Sequence, residues 1–222
     1  MTMFPNWAKN ILFLLVYMIS GLILILIIEG LMSGTELIPF NTAIESVVTR
    51  MRTPTLTTII ITLTHLGSPF VLSLLSILIA GFLTMKGDSY DALLFLVSMG
   101  FSILAFVILK DTFQISRPDS NIFQSDGWSF PSGHATVATT FFFLFAHSFF
   151  RRMKKFTHKL FLVSGSILGA LLICFSRLYL GAHWALDILA GIALGLLSVS
   201  FMVLVFGVFL EDREWLGRRG VL

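Results

Sequence analysis

The chain has 222 residues, of which 56% are hydrophobic and 12% charged, with a formal net charge of +3. A soluble domain carries about twice that charged fraction, and here the apolar residues gather into runs, so an ordinary soluble domain is excluded. The composition describes an all-α polytopic membrane protein, one membrane-embedded unit over residues 1–222; its lone cysteine, Cys174, allows no internal disulfide, and it shows no nucleic-acid footprint.

Ile11 to Ile28 is an apolar run long enough to span, preceded by Lys9. Glu29, Gly30, Leu31 and Met32 follow it without a small-x-small cleavage site, which predicts an uncleaved first helix rather than a signal peptide. Residues 33–55 mix Glu36, Glu45, Arg50 and Arg52 with Phe40, Ile44, Val47, Val48 and Met51 at helical spacing. That pattern predicts an amphipathic helix in the interface. Thr55 to His65 reads as a second interfacial or half-inserted piece, broken by Gly67, Ser68 and Pro69. The second span is placed at about Phe70 to Met85, with a single kinked helix from Thr57 to Met85 as the alternative.

After the polar turn at 86–91, the third span runs from about Ala92 to Leu109 and continues as helix to Ser116, where Arg117-Pro118 breaks it. A polar loop leads to the fourth span, His134 to Phe150. The basic cluster at 151–159 precedes the fifth, Leu160 to Phe175, and the sixth runs from about Trp184 to Leu210, followed by a charged tail. Six spans put both termini on one side of the membrane. The termini, the 86–91 turn and the 151–159 loop hold ten lysines and arginines against five on the opposite side, so the termini are expected in the cytoplasm. This brings the loops before His134 and His183 together on the outer face. Gly165 with Gly169, and Gly191 with Gly195, are four apart and suit close packing of spans four, five and six.

Three outer stretches carry chemistry. In Lys110–Pro118, KDTFQISRP, the seven-residue spacing of Lys110 and Arg117 puts both on one helical face. In Pro131–His134, PSGH, Ser132 suits a helix start and Gly133 permits close approach, so the helix N-terminus forms an anion site. In Ser176–Asp187, SRLYLGAHWALD, His183 and Asp187 fall a turn apart if helical, with Arg177 across a break at Gly181. Ionisable groups this dense at a bilayer edge form a functional site. The set lacks a glutamate pair or cysteine cluster to hold a metal, and it fits a tetrahedral oxyanion. One histidine attacks phosphorus in line, Asp187 orients His183, and His134 protonates the leaving oxygen and then activates water.

These stretches resemble the signature of the type 2 phosphatidic acid phosphatase (PAP2) family: K-x6-R-P, then P-S-G-H, then S-R-x5-H-x3-D. Every fixed position is matched, by Lys110, Arg117 and Pro118, by Pro131 to His134, and by Ser176, Arg177, His183 and Asp187. The resemblance implies a PAP2-like helical bundle, with His183 as nucleophile, Asp187 as its partner and His134 as acid. Lys110, Arg117, Ser132, Gly133 and Arg177 form the implied phosphate cradle. It further implies a cell-membrane hydrolase that needs no metal or other cofactor and no obligate protein partner. The implied substrate is a lipid phosphate or diphosphate, undecaprenyl diphosphate first, with phosphatidylglycerol phosphate, phosphatidate or phosphoryl transfer to another lipid as alternatives. The family's soluble haloperoxidase branch does not suit so apolar a chain. His65, His147 and His158 belong to no pattern and read as structural, while Asp119, Asp126 and Trp128 lie where a head group could be read.

Overall fold

The computed structural model describes residues 6–33, 37–123 and 126–207. They form eight helices and no strand: α1 (Asn6–Met32), α2 (Leu37–Arg50), α3 (Pro54–Leu66), α4 (Pro69–Met85), α5 (Ser89–Phe113), α6 (Gly133–Phe150), α7 (Phe156–Tyr179) and α8 (Ala185–Phe206). Glu36, the end of the sixth expected span at 208–210 and the tail arginines Arg213, Arg218 and Arg219 lie outside the described residues.

Local sequence sets most of the boundaries. Thr53 and Ser68 cap α3 and α4, accepting from Leu56 N and Val71 N, each with proline in the first turn. The two helices meet at a 45° bend over Gly67 and Ser68, so the region expected as a half-inserted piece plus a span is a bent pair. Among the described helices, α1, α5, α7 and α8 are long and apolar enough to cross a membrane, and the α3–α4 pair makes a fifth if it counts as one span. The expected fourth span, α6, falls short of that test. Its first half is a run of small and hydroxylated residues, Ala135 to Thr140, all buried against other helices, so it does not need a lipid-facing apolar surface.

Helix α8 is the inner wall of the bundle, packed between α1 and α6. Gly191 and Gly195 explain the closeness to α6. A Cβ on Gly191 would lie 2.8 Å from Ser132 O, and one on Gly195 would lie 2.8 Å from Thr136 O. Gly169 likewise faces the Phe142 ring, whereas Gly165 has open space, so the fifth-span pair does not act as a pair. The contact of α1 with α8, through Leu24 and Ile27 against Leu186 and Ala190, is an addition to the expected core. At the opposite end from the PSGH turn, Arg152 donates to Asp88 (2.6 Å) and Asp91 (3.0 Å), tying the α4–α5 turn to the α6–α7 loop.

Candidate active site

Helix α5 ends three residues earlier than expected. Gln114 takes a left-handed backbone (φ 50°), closing the helix with its N–H on Lys110 O. Lys110 is therefore in the last helical turn and Arg117 lies outside the helix, so a shared helical face is not what joins them. A loop carbonyl joins them instead. Trp128 O accepts from Lys110 Nζ (2.6 Å) and from Arg117 Nη2 (3.2 Å). Arg117 also donates to Gly127 O (3.0 Å), Asp126 O (2.9 Å) and Ala182 O (2.5 Å). This use of a planar five-donor fork is open to arginine and not to lysine.

Ser132 caps α6 through Ala135 N (3.4 Å), and its own N–H donates to Asp187 O (3.0 Å), binding the PSGH turn to the start of α8. Gly133 lies against the Phe106 ring, which a Cβ would approach to 3.0 Å. His134 sits in the first turn of α6, within electrostatic reach of Arg177, His183, Arg117 and Lys110.

Arg177 is buried in the last turn of α7, donating to Thr64 Oγ1 (2.9 Å) and lying 5.3 Å over the Phe123 ring. Gly181, at φ +68°, makes the expected break; a Cβ there would also fall 2.8 Å from Ser120 O. His183 and Asp187 do not share a helix. His183 precedes α8, Trp184 is its N-cap residue, and Asp187 is the third helical residue. The pair still meets, His183 Nδ1 lying 3.5 Å from Asp187 Oδ2, because the carboxylate folds back to accept Trp184 N (2.8 Å). The other ring nitrogen, Nε2, faces Arg117 Nη1 at 3.4 Å. The residue is 4% exposed. Burial, then the charges of Arg177, Arg117 and Lys110, hold its pKa well below the ordinary imidazole range. It is thus a neutral base with one nitrogen turned toward fixed cations.

Several contributors were not singled out in the sequence. Ser129 is fully buried and donates to Asp187 Oδ2. Thr64 holds Arg177. Arg52 donates to Tyr179 O (2.9 Å) and Ser120 O (2.8 Å), clamping the loop after Pro118 to the end of α7. Asn41 of α2 accepts from Leu186 N (3.1 Å) in the first turn of α8. Their common signal is weak: single polar residues in apolar or loop surroundings, with partners more than 50 residues away. Of the histidines outside the pattern, His147 and His65 make edge-on ring contacts with Phe13 and Phe123, and His158 is exposed. Asp119, Asp126 and Trp128 are exposed, and what the loop gives the site is backbone carbonyls.

Lys110, Arg117, Arg177, the PSGH helix start, His134, His183 and Asp187 thus come from three separate elements to one end of the bundle. Such a constellation can hold a tetrahedral anion against a neutral imidazole. Comparison with known proteins points the same way. The PAP2 superfamily model matches residues 91–210. Phosphatidylglycerophosphatase B of Bacillus subtilis is 33% identical over 160 residues, which is 70% of this chain and 77% of that protein. The putative undecaprenyl-diphosphatase YbjG of Escherichia coli is 42% identical over 72 residues, 32% of this chain and 31% of that one. Among solved structures, a transmembrane PAP2-type phosphatidylglycerolphosphate phosphatase from Bacillus subtilis superposes with a TM-score of 0.74 at 26% identity, covering 91% of this chain and 97% of its own. Aquifex aeolicus LpxE gives 0.59 at 26% identity, over 74% and 94%.

Proposed function

This chain belongs to the PAP2 superfamily, and on that premise we propose that it is a membrane lipid phosphatase working through a phosphohistidine on His183. The observation that carries the reading is the orientation of the His183 ring: Nδ1 toward Asp187, Nε2 toward Arg117, and burial that keeps it neutral. Nε2 attacks phosphorus as the bond to the lipid oxygen breaks, and His134, carrying a proton taken up together with the anionic phosphate, gives that oxygen its proton. Asp187 stabilises the imidazolium that forms. Lys110, Arg117, Arg177, the Ser132 hydroxyl and the Gly133 N–H carry the charge on the equatorial oxygens. Water then gives its proton to His134 and attacks the same phosphorus, so the N–P bond breaks and phosphate leaves.

The reading extends to a single membrane-embedded unit of six spans, with α3–α4 as the second and α6 as the fourth. The termini face the cytoplasm and the site faces outward, as the basic residues suggest. For the substrate, the long matches favour phosphatidylglycerol phosphate, while the shorter match favours undecaprenyl diphosphate, the substrate first expected from the family resemblance. The test is phosphate release by the detergent-purified protein in excess EDTA, with both lipids and phosphatidate side by side. Release from at least one, absent in His183→Ala, is expected, and its ranking names the substrate. No release from any by the folded protein overturns the reading.

A further inference from the structure

Asp187 Oδ2 is the point on which the site's charge handling converges, and one of its partners lies outside the PAP2 motifs. Ser129 is fully buried, two residues before the PSGH stretch. Its backbone is fixed on both sides, by its N–H on Ile115 O (2.7 Å) and by its carbonyl near Lys110 Nζ (3.4 Å). Its hydroxyl is therefore placed by the loop, and it points at two atoms. It donates to Asp187 Oδ2, and it lies 3.4 Å from His183 Nδ1. The direct distance from Nδ1 to Oδ2 is 3.5 Å, longer than an ordinary N–H···O bond of about 2.7–3.2 Å.

We infer that Ser129 is a positioning residue for the His183–Asp187 pair: it locks the carboxylate in place and keeps the Nδ1–H tautomer, leaving Nε2 unprotonated with its lone pair turned toward Arg117. With its own proton committed to Asp187, the hydroxyl has only lone pairs to offer the ring, which selects Nδ1–H. With Trp184 N–H and Ser129 O–H both on Oδ2, the carboxylate cannot swing away while the ring is neutral and weakly held. When phosphoryl transfer turns the ring into a cation, the carboxylate is already where the charge appears, so nothing has to reorganise. This role rests on the phosphohistidine reading. It belongs to the chemical step and not to phosphate binding, which uses other side chains.

The test is a double-mutant cycle on the full-length protein in detergent, using whichever lipid the wild type hydrolyses best. Ser129→Ala is expected to lower kcat on the order of tenfold or more, with KM within about twofold. In an Asp187→Asn background the same change is expected to cost under about twofold, because the group it acts through is gone. Ser129→Cys, which fills the space with a weaker donor, is expected to fall between, with an unchanged melting temperature. A kcat for Ser129→Ala within about twofold of wild type overturns the inference, and so do equal losses in both backgrounds, the mark of a merely structural hydroxyl. An inactive wild type overturns the phosphatase reading itself, whereas an active wild type with an indifferent Ser129 overturns only this role.

Discussion

His183 is the residue whose surroundings are most constrained, and those surroundings give it a pH signature apart from catalysis. Its pKa is held well below the ordinary 6.5, chiefly by burial and then by three neighbouring cations. In the unfolded chain the ring takes a proton as pH falls through about 6.5, while in the folded chain it stays neutral. Acid therefore favours unfolding, and the stability lost reaches about 1.4 kcal/mol one pH unit below the unfolded value. A His183→Gln variant is expected to lose less melting temperature than wild type between pH 7.5 and 5.5, measured by thermal unfolding in one detergent. Equal losses would show that the buried ring does titrate freely. The cation most responsible for the geometry, Arg117, holds three loop carbonyls and Ala182 O at once, so an Arg117→Lys change keeps the charge and loses the fork. A fall in kcat/KM of about a hundredfold is expected for it.

At the scale of elements, the site depends on how closely α8 lies against α6. Gly191 is the tightest point, since a Cβ there meets both Ser132 O and the Ala135 side chain at 2.8 Å. Gly191→Ala must push the PSGH turn away from Asp187, and it is expected to destabilise by about 1–3 kcal/mol and to lower activity as well. Gly165→Ala, with nothing within 4 Å, is the matched control and is expected to change neither. Thermal unfolding and phosphate release on the two variants check both statements. These elements also show how far the sequence could be read. The PSGH helix start and the Gly181 break were legible because Ser and Gly have strong local preferences. The end of α5 was not, because glutamine in a left-handed backbone carries no local signal. The Lys110–Arg117 and His183–Asp187 spacings found real neighbours by a mistaken route: both pairs meet across helix ends, through loop carbonyls and an N-cap, rather than along one helix. Ser129, Thr64 and Arg52 were illegible because their partners are remote in sequence and only the fold brings them near.

For the whole molecule, the proposed orientation rests on the uneven distribution of lysine and arginine. In a Cys174→Ala background, a cysteine at exposed Asp119 is expected to react with a membrane-impermeant maleimide on intact cells, and one at exposed Lys154 only after lysis. The reverse pattern would invert the orientation. The loop carbonyls that engage Lys110 and Arg117 have a further consequence, for turnover. On the proposed reading, a phosphate arriving at these side chains does not meet bare cations. It replaces Asp126 O, Gly127 O and Trp128 O as their acceptor, and when it departs those same carbonyls take the donors back. The gain on association is the difference between two sets of bonds, which keeps the grip on inorganic phosphate modest. Two strong cations can then serve a rapid cycle without retaining the product they have just released.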